Sequence, residues 1–124
     1  MSTRKKILLV DDSNTILMME RMLLTRGPYD LVTATDGDEA VAKALTERPD
    51  LILMDVVMPR MNGFEACRRI REDEATALTP IIMVTTRGEV SNVESGFESG
   101  CTDYVTKPIN GPELIAKLQN YLGQ

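Results

Sequence analysis

Leu51-Ile52-Leu53-Met54-Asp55 is the stretch on which the fold turns. Four consecutive apolar residues without polar alternation describe a strand covered by helices on both faces, and the run ends in a carboxylate. Working outward, the same unit recurs. Lys6-Ile7-Leu8-Leu9-Val10 reads as an earlier buried strand, and Ser13 caps a helix whose apolar positions include Ile16, Met19 and Leu23, with Gly27-Pro28 ending it. Tyr29 to Ala34 forms another strand, followed by a helix that opens at Gly37, carries Ala40, Val41, Ala44 and Leu45, and stops at Pro49. Beyond Asp55, the Pro59 to Gly63 turn leads into a helix with Phe64, Cys67 and Ile70 on one side. A strand over Ile81 to Val84 comes next, then a helix marked by Val90, Val93 and Phe97, a short strand around Val105, and a final helix with the stripe Leu114, Ile115, Leu118 and Leu122.

Strict alternation of strand and helix predicts a parallel sheet with right-handed crossovers and helices on both faces. The fold class is α/β: a doubly wound, flavodoxin-like (βα)5 unit with five strands in the order 2-1-3-4-5. At 124 residues the chain makes one domain over 1–124, with its core at about 5–122. No linker, internal repeat or low-complexity segment interrupts it.

The balance of 43% hydrophobic and 27% charged residues is that of an ordinary globular chain. With 19 acidic against 14 basic residues and a net charge of −5, there is no broad positive field for a nucleic-acid backbone, so direct nucleic-acid binding is not expected. The basic start Thr3-Arg4-Lys5-Lys6 leads into only a short apolar run before Asp11, unlike a signal peptide, and no run approaches the roughly 20 residues of a membrane span. No membrane association and a cytoplasmic location are the default expectation. Histidine is absent, which excludes His-dependent Ser and Cys nucleophiles and His-ligated zinc. Cys67 and Cys101 have no metal-binding spacing and read as packing residues.

Five polar positions fall at strand ends. Asp11 and Asp12 follow the first strand, Asp55 ends the third, Thr85 follows the fourth and Lys107 follows the fifth. In open α/β sheets the carboxyl ends of the strands form the crevice where ligands bind, so residues scattered along the chain meet there. Three carboxylates held together repel one another unless a cation shares the site, and all-oxygen ligands select a hard ion, Mg²⁺ (or Mn²⁺). Thr85 offers a hydroxyl and Lys107 an ammonium to phosphoryl oxygens. The nucleophile this pattern supplies is Asp55, held on a rigid apolar strand and suited to forming an acyl phosphate.

In these residues the chain resembles the receiver domains of bacterial two-component response regulators, the CheY-like family. The resemblance covers about residues 5–122 and is carried by Asp11-Asp12, Asp55-Val56-Val57-Met58-Pro59-Arg60-Met61-Asn62-Gly63, Thr85, Tyr104 and Lys107-Pro108. It implies that Asp55 accepts a phosphoryl group from a sensor histidine kinase or phosphotransfer protein. It also implies that Asp12 and Asp55 ligate Mg²⁺ directly, Asp11 through water, and Val57 through its main-chain carbonyl. Thr85 and Tyr104 correspond to the switch pair, Lys107-Pro108 is expected to be cis, and the downstream partner is a protein target or an output domain. Catalysis is expected only on the domain itself, as phosphoryl acceptance and loss. The segment Gly88, Ser91, Asn92, Ser95, Gly96 and Ser99 is poor in helix formers, so the surface made of that helix, the fifth strand and the final helix is the expected signalling face, centred on Tyr104.

Taken singly, each residue has a plainer reading. Asp11 and Asp12 would cap the first helix, Asp55 would begin a loop, Thr85 would satisfy a backbone group, Lys107 would be a solvated charge, and Tyr104 would be half-buried packing. Met18, Met19 and Met22 read as core and surface filler on the first helix. Two further alternatives keep the fold and change the activity: a pseudo-receiver that binds partners without phosphorylation, and an aspartyl-phosphate phosphohydrolase. The hydrolase needs a second acid two residues after the nucleophile, where this chain has Val57. A flavin-binding flavodoxin would require its phosphate loop to be other than acidic. Departures from the receiver pattern fall at Thr86, where a very small residue is usual, and at Val57 and Arg87, which flank the expected water path. The lifetime of the phosphorylated state is expected to be set there.

Overall fold

Strands β1 (Lys5–Val10), β2 (Tyr29–Ala34), β3 (Leu51–Asp55), β4 (Ile81–Thr86) and β5 (Asp103–Lys107) pair in parallel in the order β2-β1-β3-β4-β5, as the alternation predicts. The structure is a computed structural model that describes residues 4–86 and 98–123. Helices α1 (Asn14–Leu24), α2 (Gly37–Glu47), α3 (Gly63–Arg71) and α4 (Gly111–Leu122) lie among those residues, with a short 3-10 turn at Glu74–Thr76. The helix predicted around Val90, Val93 and Phe97 lies outside the described residues.

Strand side chains divide by parity, because successive residues point to opposite faces. Leu8, Val10, Ile52, Met54, Ile81 and Met83 join α2 and α3 in one core, whereas Ile7, Leu9, Leu51, Leu53, Ile82 and Val84 join α1 and α4 in the other. Every residue of β3 is buried, which is why its sequence shows no polar alternation.

Each of these four helices is started by a side-chain cap that accepts from the amide three residues further on. Ser13, Asp36, Asn62 and Asn110 accept from the backbone N–H of Ile16, Glu39, Glu65 and Glu113. Helix α2 ends at Glu47 with Arg48 left-handed (φ 47°), directly before Pro49, which disfavours helical geometry in the residue preceding it.

Helix α1 departs from its expected phase. Its buried residues are Leu17, Glu20 and Leu24, not the stripe through Ile16, Met19 and Leu23. Met18, Met19 and Met22 are all exposed, so they are surface residues and not core. The segment is apolar almost all round, so hydrophobicity does not fix its rotation, and of its two adjacent charges Glu20 is buried while Arg21 is exposed. On α2 a similar trimming leaves Ala40 and Ala44 buried and Leu45 exposed.

Candidate functional site

Register brings the acids together. Val10 pairs with Met54, so the next residues, Asp11 and Asp55, leave the sheet side by side. Asp55 pairs with Val84, Thr85 with Thr106 and Thr86 with Lys107, which lines the carboxyl edge with the predicted residues. Thr85 and Lys107 lie within the last residues of β4 and β5 rather than beyond them.

One carboxylate oxygen from each of Asp11, Asp12 and Asp55 falls within 4.8 Å of the others. Asp11 is 1% and Asp55 5% exposed, while Asp12 faces solvent. The Lys107 ammonium bridges the two buried acids, 3.2 Å from Asp55 Oδ1 and 3.4 Å from Asp11 Oδ2. Asp11 Oδ1 accepts from the backbone N–H of Ser13 at 2.9 Å, so Asp11 orients the chain into α1 while Ser13 caps the helix. Behind Asp55, the Gly63 amide donates to Val56 O at 2.8 Å, and a Cβ on Gly63 would sit 2.3 Å from the Asp55 carbonyl oxygen. Only glycine lets α3 begin this close to the strand end. Thr85 is buried beside the cluster, and the Lys107-Pro108 bond is cis as expected.

Charge crowding shows in the titration of these groups. Burial and the neighbouring Asp11 carboxylate raise the Asp55 pKa from 3.8 to about 6, with Lys107 pulling the other way. Burial works against the Lys107 ammonium, but Asp55 and then Asp11 outweigh it, and its pKa rises. Three carboxylates with one ammonium leave a net negative, all-oxygen pocket. That donor set fits a hard divalent cation, and thiol or imidazole ligands are absent among the described residues.

Tyr104 is half-buried against the α2/α3 core, and the Lys117 ammonium lies 5.9 Å from its ring centroid. Asp103 holds that arrangement by accepting from Lys117 Nζ at 2.9 Å and from Tyr121 Oη at 2.8 Å. Burial raises the Asp103 pKa, yet its hydrogen bonds from Lys117 and the Tyr104 amide bring it below the ordinary value. Asp103, Lys117 and Tyr121 were not among the sequence candidates. Their signal is the i,i+4 spacing of Lys117 and Tyr121 on the last helix, opposite an acid next to Tyr104. Glu20, which faces the same crevice from α1, was also missed, because a lone acid in a helix reads as a solvated charge. Cys67 and Cys101 are free and buried, as packing residues should be.

A doubly wound sheet with an acidic, lysine-bridged cluster at its carboxyl edge defines the class of CheY-like phosphoacceptor modules. The model of the response regulator receiver domain matches residues 7–119, and the chain belongs to that family, the receiver of two-component signalling. It is 42% identical over 118 residues to the alkaline phosphatase synthesis transcriptional regulatory protein PhoP of Bacillus subtilis, covering 95% of this chain and 48% of that protein. Among solved structures it resembles chemotaxis protein CheY4 of Vibrio cholerae, with a TM-score of 0.90, 39% identity and coverage of 96% and 99% of the two chains. It also resembles the receiver domain of a Pseudomonas aeruginosa sensor histidine kinase with magnesium in its active-site cleft. There the TM-score is 0.90, the identity 33%, and the coverage 98% of this chain and 100% of that one. The chain spans about half the length of the curated transcriptional regulators it matches.

Proposed function

We propose that Asp55 is the phosphoacceptor of this receiver. Its carboxylate attacks the phosphorus of a phosphohistidine on a sensor histidine kinase or phosphotransfer protein. The N–P bond breaks, the imidazole leaves, and an acyl phosphate forms on Asp55. The observation that carries this reading is the joint placement of Asp11, Asp12, Asp55 and Lys107 at one end of the sheet, with Asp55 on the most buried strand.

Asp12 and Asp55 would hold Mg²⁺ (or Mn²⁺) directly, Asp11 through water and Val57 by its main-chain carbonyl. When bound, the ion supplies positive charge to the carboxylates and to a phosphoryl oxygen. Lys107 stands ready to neutralise a second phosphoryl oxygen, and the Thr85 hydroxyl to donate to a third. Thr85 and Tyr104 form the switch: as the hydroxyl moves to the phosphoryl group, the ring turns inward and the face of β5 and α4 changes. A protein target or an output domain reads that face, with no direct contact to nucleic acid or membrane. Residues 1–124 act as one receiver domain in the cytoplasm, the compartment of the donor, and the only reaction is on the domain's own Asp55. In the described residues no helix is long and apolar enough to cross a membrane.

The test is intact mass after incubation with Mg²⁺ and acetyl phosphate, for the wild-type chain and for Asp55→Asn. One labile phosphoryl adduct, absent from the variant, is expected. An adduct that survives in Asp55→Asn moves the acceptor elsewhere. No adduct from acetyl phosphate or from a phosphorylated kinase indicates a module that signals without phosphorylation, and rapid multiple turnover of a phosphate ester indicates a hydrolase.

A further inference from the structure

Glu20 lies on the buried stripe of α1 and is 1% exposed. Among the described residues its Oε1 is buried with no hydrogen-bond partner. An orphaned acceptor in the interior is costly, and its persistence asks for a use. That oxygen has almost no accessible surface of its own.

A cavity of about 400 Å³ adjoins it, walled by Ile16, Met19, Leu23, Pro108 and Ile109, with Thr86 and Lys107 as its other lining. The apolar walls offer no donor; the Thr86 hydroxyl and the Lys107 ammonium do, and only the ammonium brings the charge that complements a carboxylate. Its ammonium is held at 3.2 and 3.4 Å from Asp55 and Asp11, longer than the about 2.7–2.9 Å of strong charge-assisted hydrogen bonds. The open cavity gives the flexible lysine stem room to move. The charges around Glu20 agree: after burial, Asp11 and Asp55 disfavour its carboxylate, while Lys107 favours it.

We propose that Glu20 is a positioning residue for Lys107, an internal second acceptor onto which the ammonium swings when it leaves the carboxylate cluster. The inference rests on the divalent-cation reading given above. In the present geometry the ammonium bridges two of the three acids that would hold that cation, and two positive groups sharing the same carboxylates repel. A waiting acceptor lowers the cost of moving Lys107 aside and keeps it close enough to return to a phosphoryl oxygen. Glu20 itself touches no reacting atom.

The test is a double-mutant cycle read by calorimetric titration with Mg²⁺ alone, on the full chain. Glu20→Gln and Glu20→Leu are each made in the wild-type and Lys107→Ala backgrounds. With Lys107 present, Glu20→Leu should bind Mg²⁺ about three- to tenfold more weakly and Glu20→Gln, which keeps an acceptor oxygen without the charge, less so, and in Lys107→Ala the same changes should have no effect. Equal weakening in both backgrounds would show that Glu20 acts by its charge alone, and no weakening in either would show that it does not act on the site. Both outcomes overturn the proposal. Urea unfolding of each variant guards against a folding artefact, since Glu20→Leu removes an unpaired buried acid and should be no less stable than wild type. A wild-type chain that binds no Mg²⁺ overturns the cation reading and this inference with it, whereas binding with an uncoupled cycle overturns this inference alone.

Discussion

The α2/α3 layer and the α1/α4 layer cover opposite faces of one sheet with the same alternating strand residues, yet they treat buried polar groups differently. On the α2/α3 side, Arg71 donates to Gly100 O, Thr76 O and Thr102 Oγ1 at 2.8, 3.0 and 3.3 Å, and the buried Thr76 hydroxyl donates to Ile70 O. Gly37 and Gly63 let the helices start in near contact with Met61 and Asp55. On the α1/α4 side, Glu20 is buried with an unpartnered oxygen, a cavity opens beside Lys107, and Met18, Met19 and Met22 are exposed. One face is finished behind the strand that carries Asp55. The other keeps slack next to Lys107.

The sharpest way to break that contrast is Gly63→Ala. With backbone 2.3 Å from the new methyl, the strand end or α3 has to shift, and a loss of about 3 kcal/mol or more is expected by urea unfolding. A near-neutral variant would mean the tight face has slack of its own.

Next comes Glu20→Leu, where the effect reverses sign and depends on pH. Burial, then Asp11, raises the Glu20 pKa from 4.5 to about 8. Between those values the folded state holds a proton that the unfolded chain has released, so stability falls as pH rises through the window and the full cost stands above pH 8. In metal-free buffer Glu20→Leu should therefore exceed wild type by on the order of 3 kcal/mol above the window and by little below it. Parallel stability curves would show that the acid is compensated after all.

Capping supplies the smallest test. Asp36 accepts from Glu39 N at 2.8 Å on the finished side, and Ser13 from Ile16 N at 3.3 Å on the other. Asp36→Ala should cost about 1 kcal/mol and Ser13→Ala less, measured by the same unfolding. Equal costs would remove capping from the difference between the layers.

The residues themselves show why some of this was legible in advance. Strands buried on both faces announce themselves as unbroken apolar runs, and once their ends are known, Asp11, Asp12, Asp55, Thr85 and Lys107 fall at one edge by topology alone. The rotation of α1 was hidden, because Ile16 to Met19 and Met22 to Leu24 are apolar on every side and the inward residue is a glutamate. The Asp103, Lys117 and Tyr121 contacts depend on how α4 lies against β5, a tertiary relation that helical spacing suggests but does not fix.

The complete burial of β3 has a consequence for timing. Amide protons in such a strand exchange with solvent only when the whole domain opens, whereas frayed ends and loops exchange through local openings. Asp55 is thus attached to a strand whose burial places it at the slow-exchanging end of that range. A phosphoryl group carried there, as proposed above, would ride through the small fluctuations of the periphery.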